Sequence, residues 1–292
     1  MDNSENIIVS VCCATYNHAK YLEDCLEGFC NQQTSFKYEV LIHDDASTDE
    51  SQKIIKSFEE KYPEIIKPIY QTENQFSQGI TKIHSVFNFP RAKGKYIALC
   101  ESDDFWCDPL KLEKQVKLLE ANPDCTLSFH ANQYLFPKDL SYKNKIYRPE
   151  KKESKRYTIE DVIKYGGNFM HTASMVFLKD ALPKTAINWI TDAPVGDLPL
   201  SLHITLKGNL IYCDDVMSTY RVFTAGSWTA SQRKSLKTQK VHYDKMVTMW
   251  QQFNDYTNNF YNSSVQAAIK QIKFNRSKQT VKYYLAKLGF RR

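Results

Sequence analysis

The chain has 292 residues, 42% hydrophobic and 25% charged, the balance of an ordinary soluble globular protein. No stretch approaches the roughly 20 apolar residues that span a bilayer, and Met1 to Asn6 is acidic and polar, unlike a secretory leader, so a cytoplasmic protein is expected. The formal charge of +6 is uneven: eight of the 39 basic residues lie from Tyr256 to Arg292, where there is no Asp or Glu, leaving 31 basic against 33 acidic residues elsewhere.

Ile7 to Cys13 is a short apolar run and predicts a central strand, ending in the polar Ala14-Thr15-Tyr16-Asn17. Leu22, Cys25, Leu26, Phe29 and Cys30 then recur at helical spacing. Tyr38 to Ile42 predicts a second strand, ending in His43-Asp44-Asp45. Ser47 and Glu50 have capping-box spacing ahead of a helix through Ile54, Ile55, Phe58 and Tyr62, which Pro63 stops. A weaker strand at Ile65 to Tyr70, a helix around Thr81 to Phe89 and a strand at Lys95 to Cys100 follow. After Glu101-Ser102-Asp103-Asp104, Pro109 opens a helix with Leu112, Val116 and Leu119 on one face, and Thr126 to Phe129 resumes strand character. This alternation predicts an α/β fold built on a Rossmann-like, mainly parallel sheet with helices on both faces.

Pro137 to Tyr157, polar and lysine-rich, reads as a long loop. Beyond it the pattern predicts a helix near Thr158 to Tyr165, a strand at Ser174 to Leu178, a helix beginning at Asp197 and a β segment from Leu210 to Val222. Two amphipathic helices close the chain as a basic helical extension over residues 231–292. Met246, Met249, Trp250 and Phe253 mark the first. Val265, Ala268, Ile269 and Ile272, then Val281, Tyr284, Leu285 and Leu288, mark the second. The eight cysteines form no CxxC pair or other metal spacing and read as reduced, mostly core residues.

Three polar clusters fall at predicted strand ends: Thr15-Tyr16-Asn17, Asp44-Asp45 and Asp103-Asp104. In a parallel sheet those ends share one edge, where ligands bind. Each cluster alone has a structural reading; Asp45 and Ser47, for example, suit an Asx turn and a helix cap. Together they suit a nucleoside diphosphate with a divalent metal. Mn²⁺ or Mg²⁺ takes one or two carboxylates plus phosphate oxygens, and Asp103 and Asp104 supply them. Tyr16 can stack on a base, and Asp44 can accept hydrogen bonds from a base edge or ribose. Glycine-rich phosphate loops are absent: the chain has neither GxxxxGK[ST] nor GxGxxG.

These residues resemble the family 2 glycosyltransferases, inverting enzymes with the GT-A fold. The resemblance lies in the strand ending in Thr15-Tyr16-Asn17, in Asp44-Asp45-Ala46-Ser47-Thr48-Asp49, and in Lys93-Gly94-Lys95-Tyr96-Ile97-Ala98 leading to Ser102-Asp103-Asp104-Phe105-Trp106. It covers about the first 130 residues strongly. A weaker match, through Gly196-Asp197, Asp215 to Arg221 and Gly226-Ser227-Trp228, resembles bacterial members that build surface polysaccharides. Ala46 and Ser102 stand where small residues, commonly glycine, are usual, and Gly196-Asp197 stands where Glu-Asp is usual.

The resemblance implies a domain over 1–230, with a nucleotide-sugar-binding half (1–135) and an acceptor-side half (136–230). It implies transfer of a sugar from a nucleotide-sugar, UDP-sugars first among them, to a hydroxyl of a glycan or lipid-linked acceptor. Thr15, Tyr16, Asn17, Asp44, Asp45 and Asp103 would bind the donor, Asp104 and Asp103 the metal, and Asp197 would be the catalytic base. His171 and Trp228 are candidates for sugar contacts. A nucleotidyltransferase, or a non-catalytic binder of the same fold, is the competing reading. The basic tail, 256–292, suits an anionic membrane surface or a solvated face packed on its own body; no recognition motif points to nucleic acid.

Overall fold

A computed structural model describes residues 6–137, 142–149, 155–224 and 235–287, with the side chains of 168 and 281–287 excepted. Contacts divide the chain into two compact units. One comprises residues 1–158, 168–182 and 203–222; the other, 159–167, 183–202 and 223–292.

The first unit is built on a ten-stranded sheet. Strands β1 (Ile7–Thr15), β2 (Lys37–Asp44), β3 (Ile66–Tyr70) and β4 (Tyr96–Leu99) pair in parallel in the order β3-β2-β1-β4. Beyond β4 come β9 (Val176–Leu178), β6 (Cys125–Leu135), β10 (Asn209–Arg221) and β5 (Phe105–Trp106). Strand β9 runs antiparallel to both neighbours, β4 and β6, while β6 and β10 are parallel. The expected mainly parallel α/β sheet is therefore present, with one reversed strand in its interior.

Strands β1 and β2 are buried along most of their length, as expected of central strands covered on both faces. Helix α1 (Ala19–Cys30) turns Leu22, Cys25, Leu26 and Phe29 inward, all fully buried. Each Leu or Phe buried this way contributes about 1.5–3 kcal/mol. Phe29 meets Trp106 edge to face at 4.7 Å. The chain approaches so closely here that a Cβ on Gly28 would lie 2.7 Å from the Trp106 carbonyl oxygen. Helices α2 (Ser51–Lys61) and α3 (Lys111–Glu120) complete the βαβ units.

Three expectations are corrected. The capping box does not form: α2 begins at Ser51, whose N–H is taken by Asp49 Oδ1 at 2.9 Å, while the Ser47 hydroxyl accepts from Asn17 N at 2.9 Å. The helix expected around Thr81 to Phe89 is a π-helical turn, His84–Asn88, followed by a 3₁₀ turn, Phe89–Arg91. The 137–157 stretch carries two short strands, β7 (Lys145–Tyr147) on β6 and β8 (Lys155–Tyr157) on β10. Lysines sit there because short edge strands tolerate charge.

The second unit is helical. Helices α4 (Ile159–Tyr165) and α5 (Asn188–Thr191) pack on α8 (Asn262–Lys287) and α7 (Leu236–Tyr256), respectively, and α7 packs on α8. Met249, Trp250 and Phe253 are buried from α7, and Val265 and Ile269 from α8. Trp189 of α5 meets Phe253 at 5.1 Å. Helix α6 (Asp197–Thr205) begins where the sequence places it. Among the described residues no helix is long and apolar enough to cross a membrane. The eight cysteines are free thiols.

Candidate active site

Because β2, β1 and β4 are adjacent and parallel, their carboxyl ends open on one rim. All three predicted clusters lie there. Thr15 and Asp44 are direct partners in the β1–β2 register. They are 3% and 0% exposed, and Thr15 Oγ1 and Asp44 Oδ2 make no hydrogen bond. The other Asp44 oxygen accepts from Ser47 N at 3.1 Å and Gln52 Nε2 at 2.7 Å. A buried polar atom left unmatched costs about 1–3 kcal/mol. Two such atoms fall on paired residues at this strand-end rim.

The neighbouring residues do different work. Both Asp45 oxygens are engaged, accepting from Gln75 N at 2.7 Å and Phe76 N at 3.0 Å. Asp45 thereby pins the loop after β3. Asn17 is held at φ +55°, a left-handed conformation that asparagine tolerates. Its Oδ1 accepts from Thr48 N at 2.8 Å and Asp49 N at 3.3 Å, stitching the β1 turn to the β2 turn. Tyr16 stands 44% exposed at the rim. Ala46 adopts φ +61°, which explains why glycine suits this place in the motif.

After β4, the chain turns sharply, with Asp104 N donating to Glu101 O at 3.0 Å. Asp104 is 3% exposed and its Oδ1 accepts from Arg221 N at 2.8 Å. Burial, then the neighbouring Asp103 carboxylate, pushes its carboxyl well above the usual range. Arg221 holds this turn by several contacts. Its Nη1 donates to Asp103 O at 3.0 Å, and its Nη2 pairs with Asp24 of α1. Its guanidinium lies 4.4 Å from the Phe105 ring centroid and 5.2 Å from that of Tyr21.

Glu101 is oriented from the side. Asn88 Nδ2 donates to Cys13 O and to His84 Nδ1, both at 3.1 Å, so His84 presents its Nε2–H to Glu101 Oε1 at 3.0 Å. Ser102 closes the turn against the β1 loop, its hydroxyl 2.7 Å from His18 Nδ1.

Paired carboxylates are hard oxygen donors of the kind Mg²⁺ and Mn²⁺ prefer. Among the described residues no three His, Cys, Asp or Glu side chains gather into a metal site. Asp103 and Asp104 would thus be the protein's share of the coordination, with phosphate and water completing it. The donor set fits, and a cation there would offset the two like charges that burial makes costly.

Asp197 opens α6, its Oδ1 accepting from Leu198 N at 2.8 Å and its carbonyl from Ser201 Oγ at 2.8 Å. His171 lies in the first unit, stacked on Tyr220 at 4.7 Å and hydrogen-bonded to the Tyr134 hydroxyl. Burial lowers its pKa to about 4, so it is neutral at physiological pH. Trp228 lies outside the described residues. Trp106 belongs to the core, its Nε1 donating to Ala173 O at 3.0 Å.

Arg221, His84, Asn88 and His18 were not singled out for chemistry by sequence reasoning. Only Arg221 carried a signal, in the Tyr220-Arg221 pair near the end of a predicted β segment; the others act through contacts distant in sequence.

The architecture is that of a GT-A glycosyltransferase. The family model for glycosyl transferase family 2 matches residues 10–184, and the chain belongs to that family. An uncharacterized protein of Mycobacterium tuberculosis H37Rv is 30% identical over 229 residues, 75% of this chain and 60% of its own length. The chain thus spans about 60% of that relative. TuaG of Bacillus subtilis, a putative teichuronic acid biosynthesis glycosyltransferase, is 31% identical over 143 residues, 49% of this chain and 54% of its own length. Among solved structures, Staphylococcus aureus TarS 1-349 in complex with UDP-GlcNAc matches with a TM-score of 0.63 at 18% identity, covering 85% of this chain and 67% of that one. That likeness is one of fold.

Proposed function

We propose that this chain is an inverting glycosyltransferase that moves a sugar from a UDP-sugar to a hydroxyl of a glycan or lipid-linked acceptor during bacterial surface-polysaccharide synthesis. The observation that carries the donor half is the pair of unmatched buried oxygens, Thr15 Oγ1 and Asp44 Oδ2, on the rim that bears the acidic turn. A uracil N–H can donate to the carboxylate and a ribose hydroxyl to the threonine, with the Tyr16 ring against the base. The TuaG relationship supports the polysaccharide context, and the fold shared with a UDP-GlcNAc-bound enzyme supports the donor class.

Asp103 and Asp104 would hold Mn²⁺ or Mg²⁺, which when bound supplies Lewis-acid stabilisation to a leaving diphosphate. Arg221 and the Glu101 carbonyl keep the turn in shape for that task. Asp197 is the proposed base: it takes the proton from the acceptor hydroxyl as the oxygen attacks the anomeric carbon from the face opposite the diphosphate, which inverts the configuration. The basic tail, 256–292, is proposed to rest on an anionic membrane surface. The outward face of α8 suits this, with Phe274 61% exposed among the exposed Lys270, Lys273 and Lys278.

Calorimetry with UDP, GDP and their sugars in the presence of Mn²⁺ tests the donor reading. Binding of a uridine nucleotide is expected, weakened about tenfold or more by Thr15→Val or Asp44→Asn. Equal binding by wild type and both variants would refute the assignment. Sedimentation with phosphatidylglycerol vesicles tests the tail: Phe274→Ser with Lys270→Glu and Lys273→Glu should leave the protein in the supernatant.

A further inference from the structure

A second surface of the first unit lies beside the acidic turn, next in chain to Arg221. Six aromatic rings converge there from β6, β7, the residues between those two strands, β10 and the turn before β9. Tyr134 and Tyr147 stack at 5.6 Å with planes 11° apart. Phe136 and Tyr142 stack at 5.2 Å and 24°, and His171 and Tyr220 at 4.7 Å and 27°. His171 also meets Tyr134 and Tyr147 edge on, at 5.0 and 5.3 Å. The row Tyr220, Tyr134, Phe136, Tyr142 has successive centroids 5.6, 6.2 and 5.2 Å apart.

Two features set this cluster apart from a small core. It grades outward: Tyr142, at its far end, is 60% exposed, so the Phe136–Tyr142 pair presents ring surface to water instead of burying it. It is also continuous with the rim. Tyr220 precedes Arg221, whose backbone N–H holds Asp104, and it pairs with Tyr134 in the β10–β6 register. The outer turn is fixed, since Asn144 Oδ1 accepts from Phe136 N at 3.0 Å and the β6–β7 pairing sets Tyr134 opposite Lys145.

We propose that the ring row Tyr220–Tyr134–Phe136–Tyr142 is a subsite for a glycan chain, the extended acceptor on which the transferase acts. The inference rests on the transferase reading above and names its acceptor class: an oligosaccharide, several rings long. Tyrosine and phenylalanine faces cover the apolar C–H side of a pyranose, and phenol and amide groups at the edges meet its hydroxyls. The spacing of successive centroids is on the scale of one sugar to the next. His171 is the positioning residue of the row. Neutral and buried, it bonds to the Tyr134 hydroxyl and backs the Tyr220 ring.

The test uses the 292-residue chain against a printed array of bacterial polysaccharides, with glucose and N-acetylglucosamine tetrasaccharides in saturation-transfer NMR and UDP with Mn²⁺ as a parallel probe. At least one glycan is expected to bind, with ring C–H protons receiving saturation. Tyr142→Ala should weaken that binding at least fivefold, Tyr142→Trp should keep it, and UDP binding should be equal in all three proteins. No binding to any glycan, or equal glycan binding by Tyr142→Ala, overturns the proposal, as does a loss of UDP binding in Tyr142→Ala, which would make the ring structural. Glycan binding without UDP binding would instead sink the donor reading and leave this surface standing.

Discussion

Two segments of the rim each carry a pair of adjacent aspartates, and the pairs are organised differently. After β2 the labour is divided between residues: Asp45 has both oxygens on backbone N–H groups, while Asp44 keeps one oxygen unmatched in the rim. After β4 it is divided within one residue: Asp104 Oδ1 accepts from Arg221 N, and its charge is what a cation would answer. A doubled carboxylate in a motif therefore does not say which of its oxygens the fold uses as anchors. Hydrogen-bond partners distant in sequence decide that.

The sharpest way to break this comparison is Asp104→Asn. An amide can still accept from Arg221 N, so the fold should persist, while sugar transfer should fall at least about 100-fold through loss of the charge. Transfer at the wild-type rate with an intact fold would remove Asp104 from the chemistry. Next is the contrast across the other pair. Asp45→Ala strands two N–H groups and should cost about 3 kcal/mol in urea unfolding. Asp44→Asn should change stability by less than about 1 kcal/mol but weaken UDP binding about tenfold. The reverse pattern would exchange their roles.

A subtler difference lies beneath the β4 segment. Lys111 of α3 is fully buried, its Nζ 2.7 Å from Gln115 Oε1 and 4.1 Å from the Trp106 ring centroid. Burial lowers its pKa from 10.5 to about 7. The unfolded chain then holds one more proton than the folded chain between those values, so stability falls as pH drops from about 10 to 7. The slope is at most about 1.4 kcal/mol per unit. Lys111→Met should remove it, seen as a wild-type-minus-variant difference in unfolding free energy that shrinks from pH 9.5 to pH 7. The smallest effect is at Ala46: relief of its positive φ should make Ala46→Gly more stable by about 0.5–1 kcal/mol.

The chain order of strands and helices was legible because the central strands are continuous apolar runs and the helices carry stripes at a 3.6-residue period. The convergence of Thr15, Asp44 and Asp103 followed from parallel strands sharing an edge. What stayed hidden was reciprocal. Asn17, Asp45 and Ser47 are each engaged with a partner 30 or so positions away, which the linear text does not show. The reversed β9 follows helix α4, the same strand–helix–strand order as a parallel crossover, so its direction did not show, and β7 and β8 are too short and charged for period 2 to register. The aromatic row was dispersed over 134–220 and becomes a surface only once β6 and β10 pair.

The reversed strand also sets a timetable. Strands β4 and β6, made early, have no neighbour between them until Val176–Leu178 emerges, and the acidic turn lacks its backbone donor until Arg221 does. On the ribosome the nucleotide-side strands therefore wait, with open edges, for more than forty residues after β6 is complete. During that interval the unpaired edges are the part of the chain open to pairing with another chain.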